Sequence, residues 1–138
     1  MTRTILHTMI AGIFAMTVLG ACSDMPQVTR TGTVKNIIVA EDISPKQLTV
    51  HAGDEVRWTN QRTGEIRVEF IQPIKRQISC NNGFHAFAGM GTDNTASLSQ
   101  DQSASLCFTQ SGTKRYIVRM DSTGPSGEKS TTGTVDVE

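Results

Sequence analysis

The side chains that could do chemistry in this 138-residue chain are few: Cys22, Cys80 and Cys107, and the histidines His7, His51 and His85. Cys80, His85 and Met90 follow one another closely and offer a thiolate, an imidazole and a thioether. That set suits copper(I), which favours soft sulfur ligands, provided Cys80 is a free thiol. A disulfide between Cys80 and Cys107 is the competing state and the one an oxidising compartment favours. Closing that loop is worth about 3–4 kcal/mol in the chain-entropy picture. Two free thiols or shared metal ligation are the remaining states. Phe84 and Phe87 flank His85, so Phe84, His85, Phe87 and Met90 read either as a contact surface or as an ordered loop whose phenylalanines cap a core. His51 sits beside Gly53 in a turn and reads as a surface residue. The mature histidines both fall in loops, which leaves no arguable Ser/His/Asp set. Gly89-Met90-Gly91 lacks the strand-to-helix context of a nucleotide loop. Nothing here points to an enzyme.

The elements that must place these residues begin with the N-terminus. Arg3 precedes an apolar stretch, residues 5–19, that is short and interrupted for a spanning helix and has the length and flanks of a secretory signal. Leu19-Gly20-Ala21-Cys22 resembles the lipobox of bacterial lipoproteins. The resemblance implies cleavage before Cys22, lipid on its sulfur and acylation of the new N-terminus. Several acyl chains hold a protein on a membrane where one is marginal. The expected organisation is a signal peptide over 1–21, a lipidated cysteine and flexible tether over 22–32, and a folded domain over 33–138. Ser23 follows the cysteine in place of Asp, which by the enterobacterial sorting rule implies the periplasmic side of the outer membrane in a Gram-negative envelope.

Formal charge sums to +0, with 13 basic and 13 acidic residues and no basic run, so nucleic acid is not an expected partner. After residue 22 no long 3.6-period apolar segment appears, whereas Gly and Thr are frequent and short period-2 runs recur. Val56 and Trp58 alternate with Arg57 and Thr59; Ile66, Val68 and Phe70 alternate with Glu65, Arg67 and Glu69. That pattern predicts half-buried strands and leaves Arg67 facing solvent. Further strands are predicted over 34–40, 47–50, 102–109, 115–120 and 133–137. Residues 72–101 read as one long irregular loop, and 121–132 as a Gly-, Ser- and Thr-rich loop. In the strand over 102–109, Ala104, Leu106 and Phe108 share a face, so Cys107 falls on the other, from which a disulfide would tether the long loop outside the core. About seven or eight short strands predict an all-β sandwich.

The series Pro45, Leu48, Val50, Gly53-Asp54, Val56, Trp58 and Asn60 resembles the first half of a cupredoxin, the small blue-copper fold. The run 103–108, then Gly112, Tyr116 and Val118, then 133–137, resembles its closing strands. The resemblance implies a cupredoxin-like Greek-key β-sandwich. Its copper site does not carry over. A blue-copper centre uses one thiolate, two imidazoles and a weak axial Met. The family's first His lies just before the strand after the Trp-x-Asn turn, where this chain reads Glu65-Ile66-Arg67-Val68. The family's Cys ends the penultimate strand, with His and Met soon after; here that strand ends Val118-Arg119-Met120-Asp121 and the next loop has neither Cys nor His.

The expected function is therefore a membrane-anchored, non-catalytic cupredoxin-like lipoprotein. It would act as a binding or accessory module for an envelope protein or ligand, without a type 1 copper site or other cofactor. The alternative is a copper-binding or electron-transfer lipoprotein with a rearranged Cys80/His85/Met90 site. An immunoglobulin-like adhesion domain is a third reading, separable by strand order and by parallel pairing of the first and last strands.

Overall fold

A computed structural model describes residues 30–85, 94–122 and 127–138. Among the described residues, ten strands form two five-stranded sheets. They are β1 (Val34–Val39), β2 (Ile43–Ser44), β3 (Gln47–Val50), β4 (Glu55–Asn60), β5 (Ile66–Phe70), β6 (Ile78–Asn82), β7 (Thr95–Leu98), β8 (Ser103–Phe108), β9 (Gly112–Asp121) and β10 (Glu128–Val137). A 3-10 turn, Lys75–Gln77, leads into β6. One sheet runs β2-β1-β4-β8-β6 and the other β3-β10-β9-β5-β7. β1 pairs in parallel with β4, and the last strand, β10, pairs in parallel with β3. First and last strands thus each sit in a parallel pair, but in different sheets rather than against one another.

The period-2 alternation translates directly into burial. β4 and β5 alternate buried and half-buried residues along their whole length, as side chains of a pleated strand must. The inward set meets at Trp58, which packs edge-on against Phe70, Phe84 and Tyr116 at ring-centroid distances of 5.7, 5.5 and 5.5 Å. Edge-to-face geometry is the arrangement the ring quadrupoles favour. Burial pushes the Tyr116 phenol up to about 12. Its hydroxyl passes over Gly133 of β10, where an added Cβ would lie 2.3 Å from it. Residue 133 must therefore lack a side chain for the tyrosine to lie flat.

Three expectations need correction. Residues 72–101 are not one irregular loop, because they contain the 3-10 turn, β6 and β7. β6 is a sheet edge with no buried residue, so its sequence carries no apolar alternation to announce it. Residues 121–132 are not all loop either, since β10 begins at Glu128; its first half is polar and held by backbone pairing to β9. The described residues hold ten strands rather than seven or eight, the additions being β2, β6 and β7.

Candidate functional site

The place where the resemblance puts copper can be located strand by strand. Ile66 opens β5 and Met120 lies near the end of β9, and antiparallel pairing sets them directly opposite each other. Each is 1% exposed and belongs to the core. Asn60, at the end of β4, organises the turn above them. Its buried amide donates to the carbonyls of Gly64 (2.8 Å) and Leu98 (3.0 Å) and accepts from the Arg62 N–H (2.8 Å). Arg62 then folds over the pair, donating to the carbonyls of Asp121 (2.8 Å) and Ala40 (3.4 Å), with Nη1 3.6 Å from the Met120 sulfur. A cation brought here would meet one thioether, an isoleucine and a guanidinium, which is the wrong donor set and the wrong charge for a type 1 centre. Residues 122–127, which follow β9, contain no Cys, His or Met.

The other candidates do not assemble either. Cys80 and Cys107 form a disulfide, S–S 2.05 Å with Cα atoms 4.9 Å apart. They are cross-strand partners in β6 and β8, so the bond staples an edge strand into its sheet rather than tethering a loop outside it. Cys107 is fully buried yet stands outside the core cluster that holds Ala104, Leu106 and Phe108, as its strand position predicts. With both sulfurs bonded, Cys80 has no thiolate to offer. His85 is exposed and joined to Thr95 through backbone hydrogen bonds of 2.8 and 3.2 Å. Phe84 belongs to the core, so it is not part of a contact surface. Its position is fixed by Asn81, whose side chain bonds both the Phe84 N–H and its carbonyl. Phe87 and Met90 lie outside the described residues. Among the described residues no three His, Cys, Asp or Glu side chains converge as a metal-binding group.

At the opposite end of the sandwich stands Asp54, read from the sequence only as a turn residue. It is 3% exposed. Its carboxylate accepts from the His51 N–H (3.0 Å) and from the Thr31 hydroxyl. The Thr31 bond, opposed by burial, holds the carboxyl below its ordinary pKa. His51 itself is exposed, with Nδ1 3.8 Å from Asp54. On the outer face of the second sheet, Arg67 and Arg119 face each other across β5 and β9. Like charges in register repel. Glu69 (3.5 Å) and Glu128 (3.0 Å) offset this by pairing with Arg119. These four side chains and Thr95 line a shallow cleft of about 220 Å³. Sequence alternation placed Arg67 outward but gave no sign of the arginine pair, which depends on strand register.

No protein-family profile matches the chain, and no curated protein matches it by sequence. Solved structures do match. A Cu(I) form of an amicyanin variant covers 82% of this chain and 95% of its own length at 21% identity, with a TM-score of 0.50. The fold is cupredoxin-like. A purple cupredoxin from Nitrosopumilus maritimus also matches, at 21% identity over 75% of this chain and 98% of its own, with a TM-score of 0.47. At such identities the likeness speaks for the fold alone, so what the cupredoxin-like domain does has to be argued from its own side chains.

Proposed function

We propose that this protein is a non-catalytic, lipid-anchored binding module of the bacterial cell envelope, built on a cupredoxin-like sandwich without a type 1 copper site. The observation that carries this reading is the Ile66–Met120 pair, packed in register under Arg62 at the β5–β9 end beside which the resemblance places the strong ligands. The Cys80–Cys107 bond supports it further by occupying both cysteine sulfurs of the folded domain. The anchor is the lipid implied at Cys22, and the partner is an envelope protein or ligand.

The test is a titration of the mature chain with Cu(I) and Cu(II), with and without reductant, counting free thiols in the same samples. Absence of stoichiometric binding with no free thiol is the expected result. Stoichiometric binding that needs reductant and is lost in His85→Ala would overturn it and make the protein a copper carrier.

A further inference from the structure

The domain is electrically and chemically polar from one end to the other, and the chain from Cys22 enters at one particular end. Thr31 fixes the entry point. Its N–H donates to the Gly53 carbonyl (3.2 Å) and its hydroxyl to Asp54, while the Glu55 N–H donates to the Thr33 carbonyl (2.9 Å). Residues 23–30 separate this clamp from Cys22. At full extension that stretch spans at most about 30 Å, so an anchored domain keeps its Thr31 end near the bilayer.

That end carries what a bilayer surface would engage. Arg30, Lys35, Lys75 and Arg76 are exposed there: β1 starts from it, and the 3-10 turn caps it beside the end of β8, Gln77 accepting the Thr109 N–H at 2.8 Å. Val34 (38% exposed) and Ile71 (51%) are the large apolar side chains left exposed among the described residues, and both lie at this end, at the start of β1 and just after β5. Opposing charges are few. Among the described residues, Asp54 is buried and bonded, Glu55 is engaged by Arg57 (2.8 Å) and Arg30 (3.6 Å), Asp136 accepts from Gln47 (2.8 Å) and Thr113 (2.6 Å), and Glu138 is exposed. The far end has the reverse balance. Glu41, Asp42, Glu65, Asp101 and Asp121 cluster there with Lys46, Arg62 and Lys129, and Lys46 is already paired with Asp42 at 2.8 Å.

From this polarity we infer that the Thr31 end is a docking surface for an anionic lipid headgroup layer, the basic side chains meeting phosphate and Val34 and Ile71 entering the interface. The inference rests on lipidation at Cys22, which brings this end to the membrane. Each basic side chain near an anionic surface multiplies affinity by about fivefold, and the attraction fades beyond a Debye length. The acyl chains hold the protein on the membrane, and the basic patch adds an attraction that sets which face meets it. Docking would turn the acidic end, with Arg62 and Asn60 beneath it, away from the membrane.

Amine-reactive footprinting tests this with internal controls. The full mature protein is reconstituted in vesicles rich in phosphatidylglycerol or made of phosphatidylcholine alone, and labelling of each lysine is read by mass spectrometry. Lys35 and Lys75 are expected to label several-fold more slowly on the anionic vesicles, and Lys46 and Lys129 equally on both. Equal labelling of Lys35 and Lys75 on the two vesicle types overturns the proposal. The mass of the N-terminal peptide reports separately whether Cys22 carries lipid. Should it carry none, the same chain is sedimented with phosphatidylglycerol vesicles. Salt-sensitive binding lost in Lys75→Glu/Arg76→Glu supports the surface independently of the anchor, and no binding overturns it.

Discussion

At one end of the sandwich the sheets close over an apolar pair, Ile66 and Met120, covered by an arginine whose donors reach backbone carbonyls. At the other they close around a carboxylate, Asp54, buried and held by two donors. Both closures satisfy the same demand: strand ends expose backbone groups that must find partners. The apolar end meets it through Asn60, which bonds three backbone groups from a single amide. The polar end meets it through a group whose charge depends on pH. The Asn60 closure should therefore be indifferent to acid and the Asp54 closure sensitive to it.

The largest expected effect falls on the edge between the two ends. Replacing Cys80 and Cys107 by alanine frees β6 from β8 along an edge that has no buried side chains of its own. The closed loop has a sequence separation of 27, for which the chain-entropy picture gives about 3.5 kcal/mol. Denaturant unfolding of the double variant should show a loss of that order. A loss below about 1 kcal/mol would mean that backbone pairing alone holds β6.

Asn60→Ala comes next and strikes the apolar end. It leaves the carbonyls of Gly64 and Leu98 and the N–H of Arg62 without their partner. Each buried unsatisfied group costs about 1–3 kcal/mol, with water relieving those nearest the surface, so a loss of about 2–3 kcal/mol is expected in chemical denaturation. The loss should be the same at pH 4 as at pH 7, because no titrating group takes part. A strongly pH-dependent loss would show that the Asn60 turn is coupled to a carboxylate elsewhere.

These two sites differ in how legible they were. The strands carrying Val56, Trp58, Val68 and Phe70 could be read directly, because a sheet with one buried face writes its pleat into the sequence as alternation. So could the cupredoxin-like spacing from Pro45 to Asn60, which marks a parallel pair and the turn beyond it. β6 could not, because Cys80-Asn81-Asn82 contributes a staple and backbone bonds rather than apolar side chains. The opposition of Ile66 to Met120 was equally hidden. Each residue reads as ordinary core, and only the register of β5 on β9 makes them neighbours. Asp54 looked like any turn aspartate, since its burial depends on Thr31 lying over it from a segment 23 residues away.

The smallest expected effect tests the polar end and uses that dependence. Thr31→Val removes the hydroxyl that does most to lower the Asp54 pKa, leaving the His51 N–H and burial. A carboxyl whose folded pKa is depressed stabilises the fold above its unfolded value, near 3.9, and that contribution is lost as pH falls through the folded value. The variant should therefore be less stable than the parent by about 1–2 kcal/mol at pH 7, the worth of a hydrogen bond to a charged group. The gap should narrow as pH falls through the folded value of Asp54, which lies below the ordinary carboxylate range. Unfolding of both proteins from pH 7 down to pH 2 provides the check. A gap that stays constant with pH would show that Thr31 acts by packing alone, and the acid sensitivity assigned to this end would have to come from another carboxylate, Glu55 being the first to examine because its Arg57 partner holds it below its ordinary pKa.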